Sequence, residues 1–397
     1  MNQIRDLHVL IDRIPFAEGN IGEEAILASL LQDLQACGVK DISVFSNMPQ
    51  RTRLRQGDNI IHVIPDKLWR WLLLPFEVSK ADLLVWGGGH MLQDRSSRLY
   101  IPYVTKALLW ARVLGVARFI YAPGMGPVAT RLGKMLSRWA LRGSERITVR
   151  DDASVQLLRS IEIRADFLRT ADPAFSLKTQ YDQSANSSRN ASPIIGFAPR
   201  RHFYRRGSWF PVSWQLAARQ ANPRFDHFLQ EAAAALDYLV EKHLARVRLL
   251  PMDIGPNPRD DLICHRLRNY MVYSSAAEVL DDDPPLDEFV RRLSELDLLI
   301  SARLHGVILG LRFGLPFIGI DSDGKIEHFA QSIGYGEFAL KDADLNRDRL
   351  CDLAQKAFEG GDKLRQDLFR HGAILRNRAE QNREQLKNCL QKIASAR

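Results

Sequence analysis

The sequence predicts an α/β fold built from two parallel β-sheet layers, one in each half of the chain. Short apolar runs with no polar alternation, such as Leu298–Ser301, are typical of parallel strands that are buried on both faces. Segments of helical length and helical apolar spacing follow such runs, as in Leu304–Phe313. The chain has 397 residues, which exceeds the usual size of one domain, so we expect two domains.

The alternation of strands and helices predicts two Rossmann-like domains, which we place at residues 1–180 and 194–345. Between them, residues 181–193 are rich in Ser and Asn and have almost no apolar side chain, as expected of a linker. Residues 346–397 keep apolar residues at helical spacing, which predicts a helical tail that packs back on the domains. Two such domains facing a central cleft form the arrangement of the GT-B class of sugar-modifying transferases.

The strands of the first domain are short apolar runs that alternate with turns and helical segments. These runs are Leu7–Ile14, Ile42–Phe45, Asn59–Ile64, Ala81–Trp86, Ala117–Ala122, Arg146–Val149 and Asp166–Leu168. A helix follows the first strand and ends at Gly38, and further helices are predicted over Ile101–Leu114 and Thr130–Leu141. Asp151 or Asp152 caps the helix that follows the strand Arg146–Val149.

The second domain repeats the same alternation. Its predicted strands are Ile194–Ala198, Arg246–Leu250, Leu298–Ser301 and Pro316–Ile320, and its predicted helices are Phe225–His243, Leu262–Tyr270, Leu286–Ser294 and Leu304–Phe313. Gly314 stops the last of these helices, and Pro316 begins the strand beyond it.

Arg303 and His305 lie where the strand Leu298–Ser301 ends and the next helix begins. Ligands bind at this edge of open α/β sheets. A guanidinium and an imidazole beside free helix N–H groups suit an anion and proton transfer. The residues alone leave a second interpretation open, in which Arg303 pairs with a nearby carboxylate and His305 is an interior histidine with satisfied hydrogen bonds.

Glycine turns follow two strands of the first domain. Gly19, Asn20 and Gly22 precede the first helix, and Gly87–Gly89 follow the strand Ala81–Trp86. The first turn would bring backbone N–H groups close to a ligand, although a simple tight turn has the same sequence. It is neither a Walker A loop nor a dinucleotide-binding fingerprint. The three glycines of the second turn let a ligand or another backbone approach closely.

The formal net charge is +8 and the pI is about 9.4. This charge favours anionic partners, namely phosphorylated substrates, anionic lipid surfaces or nucleic acid, although solubility alone is an equally simple reason. The four cysteines are far apart, so the sequence predicts neither a disulfide framework nor a structural zinc site. Neither an apolar signal core nor a bilayer-spanning run is evident, so we expect a cytoplasmic protein.

The segment Trp69–Phe76 combines aromatic and leucine bulk with the nearby cations Lys67 and Arg70. It is too short to span a membrane, but it has the composition of an interfacial anchor. The alternative is a core helix that packs on the sheet.

Several motifs, in order along the chain, resemble those of the polysaccharide pyruvyl transferases. They are Gly19–Leu27, Asp82–Gly89 with Gln93–Asp94, Gly124–Pro127, Thr148–Asp151 with Ser154, Thr170–Pro173, Ser301–Gly306, Gly314–Pro316 and Lys325. There are also departures, because Glu23 replaces the usual Asp and Asp323–Lys325 matches only in part. The basic segment 202–214 has no counterpart.

This resemblance implies a GT-B-like fold and transfer of a pyruvyl group from phosphoenolpyruvate to a sugar, which forms a cyclic ketal. The acceptor is expected to be a sugar of a polysaccharide or of its lipid-linked oligosaccharide precursor, met at the inner face of the plasma membrane. No cofactor, metal or nucleic acid is expected. Arginine forks suit the phosphate and carboxylate of the donor, and a histidine suits the proton transfers.

We assign proton transfer to His305. We assign substrate binding to Arg303, Leu304, Arg150, Arg200, Lys325, Gly19, Asn20, Gly22, Gly88, Gly89 and Asp94. Two other functional classes stay open: a GT-B glycosyltransferase that uses a nucleotide sugar, and a non-catalytic glycan-assembly protein of the same fold.

Overall fold

In a computed structural model, the chain forms two parallel β-sheets connected by helices. The structure describes residues 2–15, 19–56, 62–66, 68–94, 97–163, 166–181, 192–201, 222–255 and 259–397, without the side chains of residues 2–3 and 68–70. The basic segment 202–214 and most of the predicted linker lie outside the described residues. The predicted fold class is confirmed, whereas the domain boundaries stay a prediction.

The first sheet has seven strands in the order β3-β2-β1-β4-β6-β8-β9, and β5 and β7 form a separate parallel pair. The strands are β1 (His8–Asp12), β2 (Asp41–Ser46), β3 (His62–Pro65), β4 (Leu83–Gly87), β5 (His90–Met91), β6 (Ala117–Tyr121), β7 (Gly124–Met125), β8 (Arg146–Val149) and β9 (Phe167–Arg169). The helices between them are α1 (Asn2–Arg5), α2 (Ile21–Ala36), α3 (Pro49–Gln56), α4 (Leu74–Ser79), α5 (Tyr100–Val113), α6 (Arg131–Leu141) and α7 (Asp152–Ser160). Short 3-10 helices cover Leu68–Leu73 and Pro173–Phe175.

The second sheet has six strands in the order β12-β11-β10-β13-β14-β15. They are β10 (Ile194–Ala198), β11 (Arg246–Leu249), β12 (Ala277–Val279), β13 (Leu298–Ser301), β14 (Phe317–Asp321) and β15 (Ala339–Lys341). The helices are α8 (Pro223–His243), α9 (Asp260–Tyr270), α10 (Leu286–Ser294), α11 (Leu304–Leu311), α12 (Lys325–Ser332) and α13 (Arg347–Ala396), with 3-10 turns at Ser274–Ala276, Gly336–Phe338 and Asp342–Asp344.

Both sheets have a point where the strand order reverses. In the first sheet this point lies between β1 and β4, and in the second it lies between β10 and β13. At such a point the connections leave in opposite directions and open a crevice at the carboxyl ends of the strands, where ligands bind. The residues that follow β10 and β13 include Arg200, Arg303 and His305.

The predicted helical tail is one long element, α13, with a break at Gly361 (φ 50°, ψ −138°). Before the break it packs on α8, and Lys242 Nζ donates to Gln355 Oε1 at 3.0 Å. Beyond the break it crosses to the first sheet, where Lys392 Nζ lies 2.7 Å from Glu145 Oε2. The tail therefore connects the two halves of the molecule.

The buried apolar residues form two clusters. One extends without interruption from α2 and β1 through the second sheet to α13, so the two sheets share a core. The other lies between the first sheet and the layer formed by α4, α5, α6 and α7. The shared core holds the carboxyl ends of both sheets close together.

Candidate active site

His305 lies in the first turn of α11, directly after β13, as predicted. Its Nε2 lies 3.5 Å from Asp172 Oδ2 and has no hydrogen-bond partner among the described residues. The imidazole packs on Gly22, and a Cβ at this position would lie only 2.0 Å from His305 Nδ1. Gly22 thus leaves the space that the imidazole occupies, and one ring nitrogen faces a carboxylate without a hydrogen bond.

Asp172 follows β9 and is 4% exposed. Its Oδ2 accepts a hydrogen bond from Arg150 Nη1 at 2.5 Å, and its Oδ1 accepts one from the backbone N–H of Ala174 at 3.0 Å. Burial alone would raise the pKa of Asp172, but Arg150 and His305 hold it well below its ordinary value. The carboxylate is therefore charged and fixed, and it can orient the imidazole for proton transfer.

Arg150 lies directly after β8, and its side chain is 7% exposed. A Cβ at Gly124 would lie 2.7 Å from its Nε, so this glycine lets the guanidinium lie against β7. Its Nε also lies 3.6 Å from Asp151 Oδ2. Arg150 is thus held from several sides beside Asp172.

A cavity of about 1310 Å³ opens beside this group. Arg150 and Asp172 line it from the first sheet, and Leu304, Arg200 and Lys325 line it from the second. The cavity therefore lies between the carboxyl ends of the two sheets, where the fold was predicted to bind its ligands.

Arg200 and Lys325 share one carboxylate in this cavity. Arg200 Nη1 lies 3.3 Å and Lys325 Nζ lies 3.1 Å from Asp323 Oδ2. Burial lowers the pKa of Lys325 and outweighs the opposite effect of Asp323. Burial would raise the pKa of Asp323, but the two cations hold it well below its ordinary value. Two cations on one carboxylate leave a positive site that suits an anionic ligand.

His90 also lines the cavity, but its role is different from that of His305. Its Nε2 lies 2.5 Å from the carbonyl oxygen of Gly126, to which it donates. Burial, together with the nearby Lys325 and Arg150, lowers the pKa of His90 to about 3. This imidazole is neutral near pH 7 and adds no positive charge.

Arg303 is engaged in an ion-pair cluster. Its Nε and Nη2 donate to the two carboxylate oxygens of Asp260 at 2.9 and 2.7 Å, and its Nη1 lies 3.3 Å from Asp253 Oδ2. Burial raises the pKa of Asp260 to about 6, although Arg303 opposes the rise. Arg303 is not among the described residues that line the cavity. The geometry matches the ion-pair interpretation that the sequence left open, and substrate contact by Arg303 stays a prediction.

Gly19 and Asn20 join the first domain to the loop after β11. Gly19 O accepts from the backbone N–H of Ile254 at 3.0 Å, and Asn20 Nδ2 donates to Asp253 Oδ2 at 3.3 Å. Asn20 Oδ1 also accepts from the N–H of Gly22 at 2.9 Å and caps α2. This glycine turn therefore packs against the backbone of the loop after β11, a contact that the sequence did not predict.

Gly88, Gly89 and Asp94 are also placed by contacts within the protein. A Cβ at Gly89 would lie 2.2 Å from Glu23 Oε1, and Gly88 has a φ of 80°. Asp94 accepts hydrogen bonds from the N–H groups of Ala129 and Thr130 at 2.9 and 2.7 Å and so fixes the start of α6. Among the described residues, the cavity lining does not include these three.

The structure therefore brings together Arg150, Arg200, Leu304 and Lys325 around the cavity. His305 is not among the described lining residues, and it contacts Asp172, which is. It places the other predicted substrate-binding residues in supporting positions: Arg303, Gly19, Asn20, Gly22, Gly88, Gly89 and Asp94. The assignment had left out Asp172 and Asp323. The signal for Asp172 was its position directly after a predicted strand within the motif Thr170–Pro173.

Among the described residues, no group of three or more His, Cys, Asp or Glu side chains is arranged to hold a metal ion. No helix in the described part of the chain is long and apolar enough to cross a membrane.

Comparison with protein families identifies the chain. The family model of polysaccharide pyruvyl transferase matches residues 20–324. The chain belongs to the polysaccharide pyruvyl transferase family. The match begins at Asn20, after β1, and ends at Gly324, so it includes all strands from β2 to β14. No curated protein matches this pyruvyl transferase family member at a significant level.

Solved structures show the fold of this family member. A UDP-GlcNAc 2-epimerase from Neisseria meningitidis bound to UDP-GlcNAc aligns with a TM-score of 0.61 and 11% identity, over 96% of this chain and 98% of that one. A glycosyltransferase from Rickettsia africae aligns with 0.60 and 12%, over 98% and 99%. Anabaena HepE in complex with UDP aligns with 0.58 and 11%, over 97% and 100%. The chain is therefore a polysaccharide-modifying transferase of GT-B architecture.

Proposed function

We propose that this chain transfers a pyruvyl group from phosphoenolpyruvate to two hydroxyls of a sugar and forms a cyclic ketal. The observation that carries the proposal is the contact of His305 with Asp172, which Arg150 also contacts, beside a cavity that both sheets line. It combines a residue that can move protons near neutral pH with cations that suit an anionic donor.

The donor carries a phosphate and a carboxylate, and we assign both to Arg150, Arg200 and Lys325. Arg150 offers a planar fork that suits either anion, while Lys325 acts as a point charge. Arg200 and Lys325 both line the cavity and both contact Asp323 there. We instead assign Arg303 a structural role, because its guanidinium already contacts Asp260 and Asp253.

The reaction needs balanced proton movements. One acceptor hydroxyl adds to C2 of phosphoenolpyruvate, and C3 gains a proton and becomes a methyl group. The second hydroxyl then displaces phosphate from C2, and its proton leaves with the phosphate. We assign the proton transfer between the first hydroxyl and C3 to His305, oriented by Asp172. The gains of a C–H bond at C3 and of a second C–O bond at C2 are opposite redox changes that cancel, so no electron carrier is required.

The size of the cavity supports two substrates. Its volume of about 1310 Å³ exceeds the roughly 300–1,000 Å³ typical of small-molecule pockets. Phosphoenolpyruvate is smaller than a drug-sized ligand, so the remaining space accommodates a sugar acceptor. We propose that this acceptor is part of a lipid-linked oligosaccharide.

The test is the release of inorganic phosphate from phosphoenolpyruvate in the presence of a lipid-linked sugar, with the product analysed by mass spectrometry for the added pyruvyl group. We expect release to require the acceptor and to be lost in His305→Ala. Sugar transfer from a UDP-sugar under the same conditions would instead favour a glycosyltransferase. The absence of turnover with either donor would favour a glycan-assembly protein.

A further inference from the structure

The outer faces of α5 and α6 expose large apolar side chains. On α6, Leu132, Met135 and Trp139 are 56%, 59% and 44% exposed, and their spacing places them on one face. On the adjacent α5, Trp110 and Val113 are 40% and 61% exposed. Leu114, which follows the end of α5, is 41% exposed. Soluble monomers rarely expose apolar patches of this kind without a function.

The apolar surface continues onto α4 and the 3-10 helix Leu68–Leu73 that precedes it. Leu72 and Phe76 are 89% and 61% exposed, whereas Leu74 is buried against the core. The ring of Trp71 lies 5.6 Å from that of Tyr103 on α5 and so connects this segment to the next helix. The segment predicted as either an interfacial anchor or a core helix therefore has one buried and one exposed side. Lys67 lies outside the described residues, and the side chain of Trp69 is not described.

The part of the chain that holds α5 and α6 is strongly basic, and on α4 the single acidic residue, Glu77, pairs with Lys80 at 3.1 Å. No Asp or Glu occurs between Asp94 and Glu145, whereas nine Lys or Arg residues do. On α6, Arg131, Lys134 and Arg138 form a stripe beside the apolar face, and Arg138 also pairs with Glu162 at 2.9 Å. Lys134 lines the cavity, so this basic stripe runs along the cavity margin.

We propose that the outer surface of α4, α5 and α6, which we call the helical face, docks on an anionic lipid bilayer. Exposed apolar side chains would enter the headgroup boundary while flanking Lys and Arg meet anionic lipid. A second copy of the chain fits less well. A two-fold dimer would bring the same patch of both copies together, and basic stripes would face each other.

Docking by the helical face would bring the enzyme to a lipid-linked sugar. This purpose rests on the proposed function, the transfer of a pyruvyl group to such a sugar. Because Lys134 belongs to both α6 and the cavity lining, docking brings the cavity margin to the bilayer. A sugar attached to a lipid can then reach the cavity while its lipid remains in the membrane. A soluble sugar acceptor needs no such contact.

Vesicle sedimentation tests the proposal with the full chain. Wild type should bind vesicles of phosphatidylcholine mixed with phosphatidylglycerol. It should not bind vesicles of phosphatidylcholine alone. Added salt should weaken binding, because the screening length falls from about 10 Å at 0.1 M to about 3 Å at 1 M. Met135→Glu should reduce partitioning by at least about tenfold, because it places a charge where an apolar side chain enters the bilayer.

Leu262→Glu is the matched control, because Leu262 is also 59% exposed and lies on a helix of the second sheet, α9. It should bind vesicles like wild type. The proposal is overturned if wild type ignores anionic vesicles at low salt, if Met135→Glu binds normally, or if Leu262→Glu loses binding equally. A dimer that Met135→Glu dissociates, with no vesicle binding by wild type, would also overturn it.

Phosphate release from phosphoenolpyruvate with a soluble sugar acceptor separates docking from chemistry. Met135→Glu should retain this activity and lose turnover only with acceptor embedded in vesicles. If neither wild type nor the variants release phosphate, but vesicle binding follows the pattern above, the proposed function is wrong and the docking surface is supported. If phosphate release is normal and vesicle binding is absent, the docking surface fails alone.

Discussion

His305 is the residue on which the chemistry depends most directly. Its Nε2 faces the charged carboxylate of Asp172, and Gly22 leaves room for its ring. His305→Ala should lower kcat by about 10²–10⁴-fold, the usual contribution of a general acid–base group. Gly22→Ala should lower kcat by displacing the same ring, without removing a titratable group. Steady-state kinetics with phosphoenolpyruvate measures both variants, and near-normal turnover in His305→Ala would contradict the assignment.

Arg150 and Arg303 give a matched pair of arginines with different expected roles. Lys at either position keeps the charge and loses the planar fork. Arg150→Lys should raise KM for phosphoenolpyruvate, because Arg150 lines the cavity. Arg303→Lys should leave that KM nearly unchanged and lower the free energy of unfolding by about 1–3 kcal/mol, because it loses hydrogen bonds to Asp260. A raised KM in Arg303→Lys alone would restore the substrate role predicted from the sequence.

Asp33 makes stability depend on pH. Burial raises the pKa of this carboxyl from 3.8 to about 6, although Tyr121 donates a hydrogen bond to it at 2.8 Å. Between these two pKa values the folded state holds a proton that the unfolded state has lost, so the free energy of unfolding falls as pH rises. The loss should total about 3 kcal/mol, at about 1.4 kcal/mol per pKa unit.

Urea unfolding of wild type and Asp33→Asn at several pH values between 4 and 7 measures this effect. The variant keeps a side-chain oxygen for the Tyr121 hydroxyl and removes the titration. Its stability should therefore be the flatter of the two across this range. Equal slopes in the two proteins would show that Asp33 titrates normally.

The sequence placed His305 and Arg150 just after strands, where the structure also has them, because a motif and a strand end coincided there; their roles in catalysis and binding stay predictions. The sequence could not distinguish arginines that line the cavity from arginines in buried ion pairs. This distinction depends on which carboxylates from distant parts of the chain lie beside each arginine. Arg303 contacts Asp260, which is 43 residues away in the sequence, and no local sequence pattern predicts this pair. Asp172 was visible in a motif, but its contact with His305 depends on how the two sheets meet.

At the scale of elements, α13 supports the site from behind. Asn382 is fully buried; its Oδ1 accepts from Thr170 Oγ1 at 2.9 Å, and its Nδ2 donates to Ala171 O at 3.3 Å. These two residues immediately precede Asp172. The tail thus holds the strand end that presents the carboxylate to His305.

Asn382→Ala should therefore cost about 1–3 kcal/mol of stability, because it leaves buried groups without their partner. It should also lower kcat more than KM, because Asp172 loses its support while the cations of the cavity remain. Gln381→Ala is the matched control, since Gln381 is the exposed neighbour on the same helix. A kcat equal to that of Gln381→Ala, despite lost stability, would limit Asn382 to a structural role.

Strongly apolar strands were predictable, and so were the edge strands β3 and β9 of the first sheet, whereas the edge strands of the second sheet were not. The central strands β10, β13 and β14 lie where continuous apolar runs placed them. The edge strands β12 and β15 have three residues each, too few to show a period. The tail was predicted as helix, but its passage from the second sheet to the first depends on the break at Gly361, which spacing alone does not reveal.

Across the whole molecule, charged side chains reinforce the contact between the two halves. Arg51 on α3 contacts Glu24 on α2 and reaches Asp283 before α10, with Nη2 2.9 Å from Asp283 Oδ1. Arg55 contacts the same aspartate and donates to its backbone oxygen at 2.9 Å. Together with the pairing of Asn20 and Asp253, these contacts close the side of the cleft that α2 and α3 form.

The shared core and these ion pairs predict that the two sheets unfold together. Differential scanning calorimetry of the full chain should give one transition, with calorimetric and van't Hoff enthalpies that agree, because no sheet can unfold without exposing core that belongs to both. Arg51→Ala should lower the Tm and keep the single transition, since the side chain is only 15% exposed and its loss leaves Glu24 and Asp283 with less charge compensation. Arg53→Ala, on the exposed side of the same helix, is the control and should leave the Tm nearly unchanged. Two resolved transitions in wild type would mean that the sheets behave as separate domains, in which case their contact at the cavity is adjustable and substrate binding, rather than the apolar core, holds His305 against Asp172.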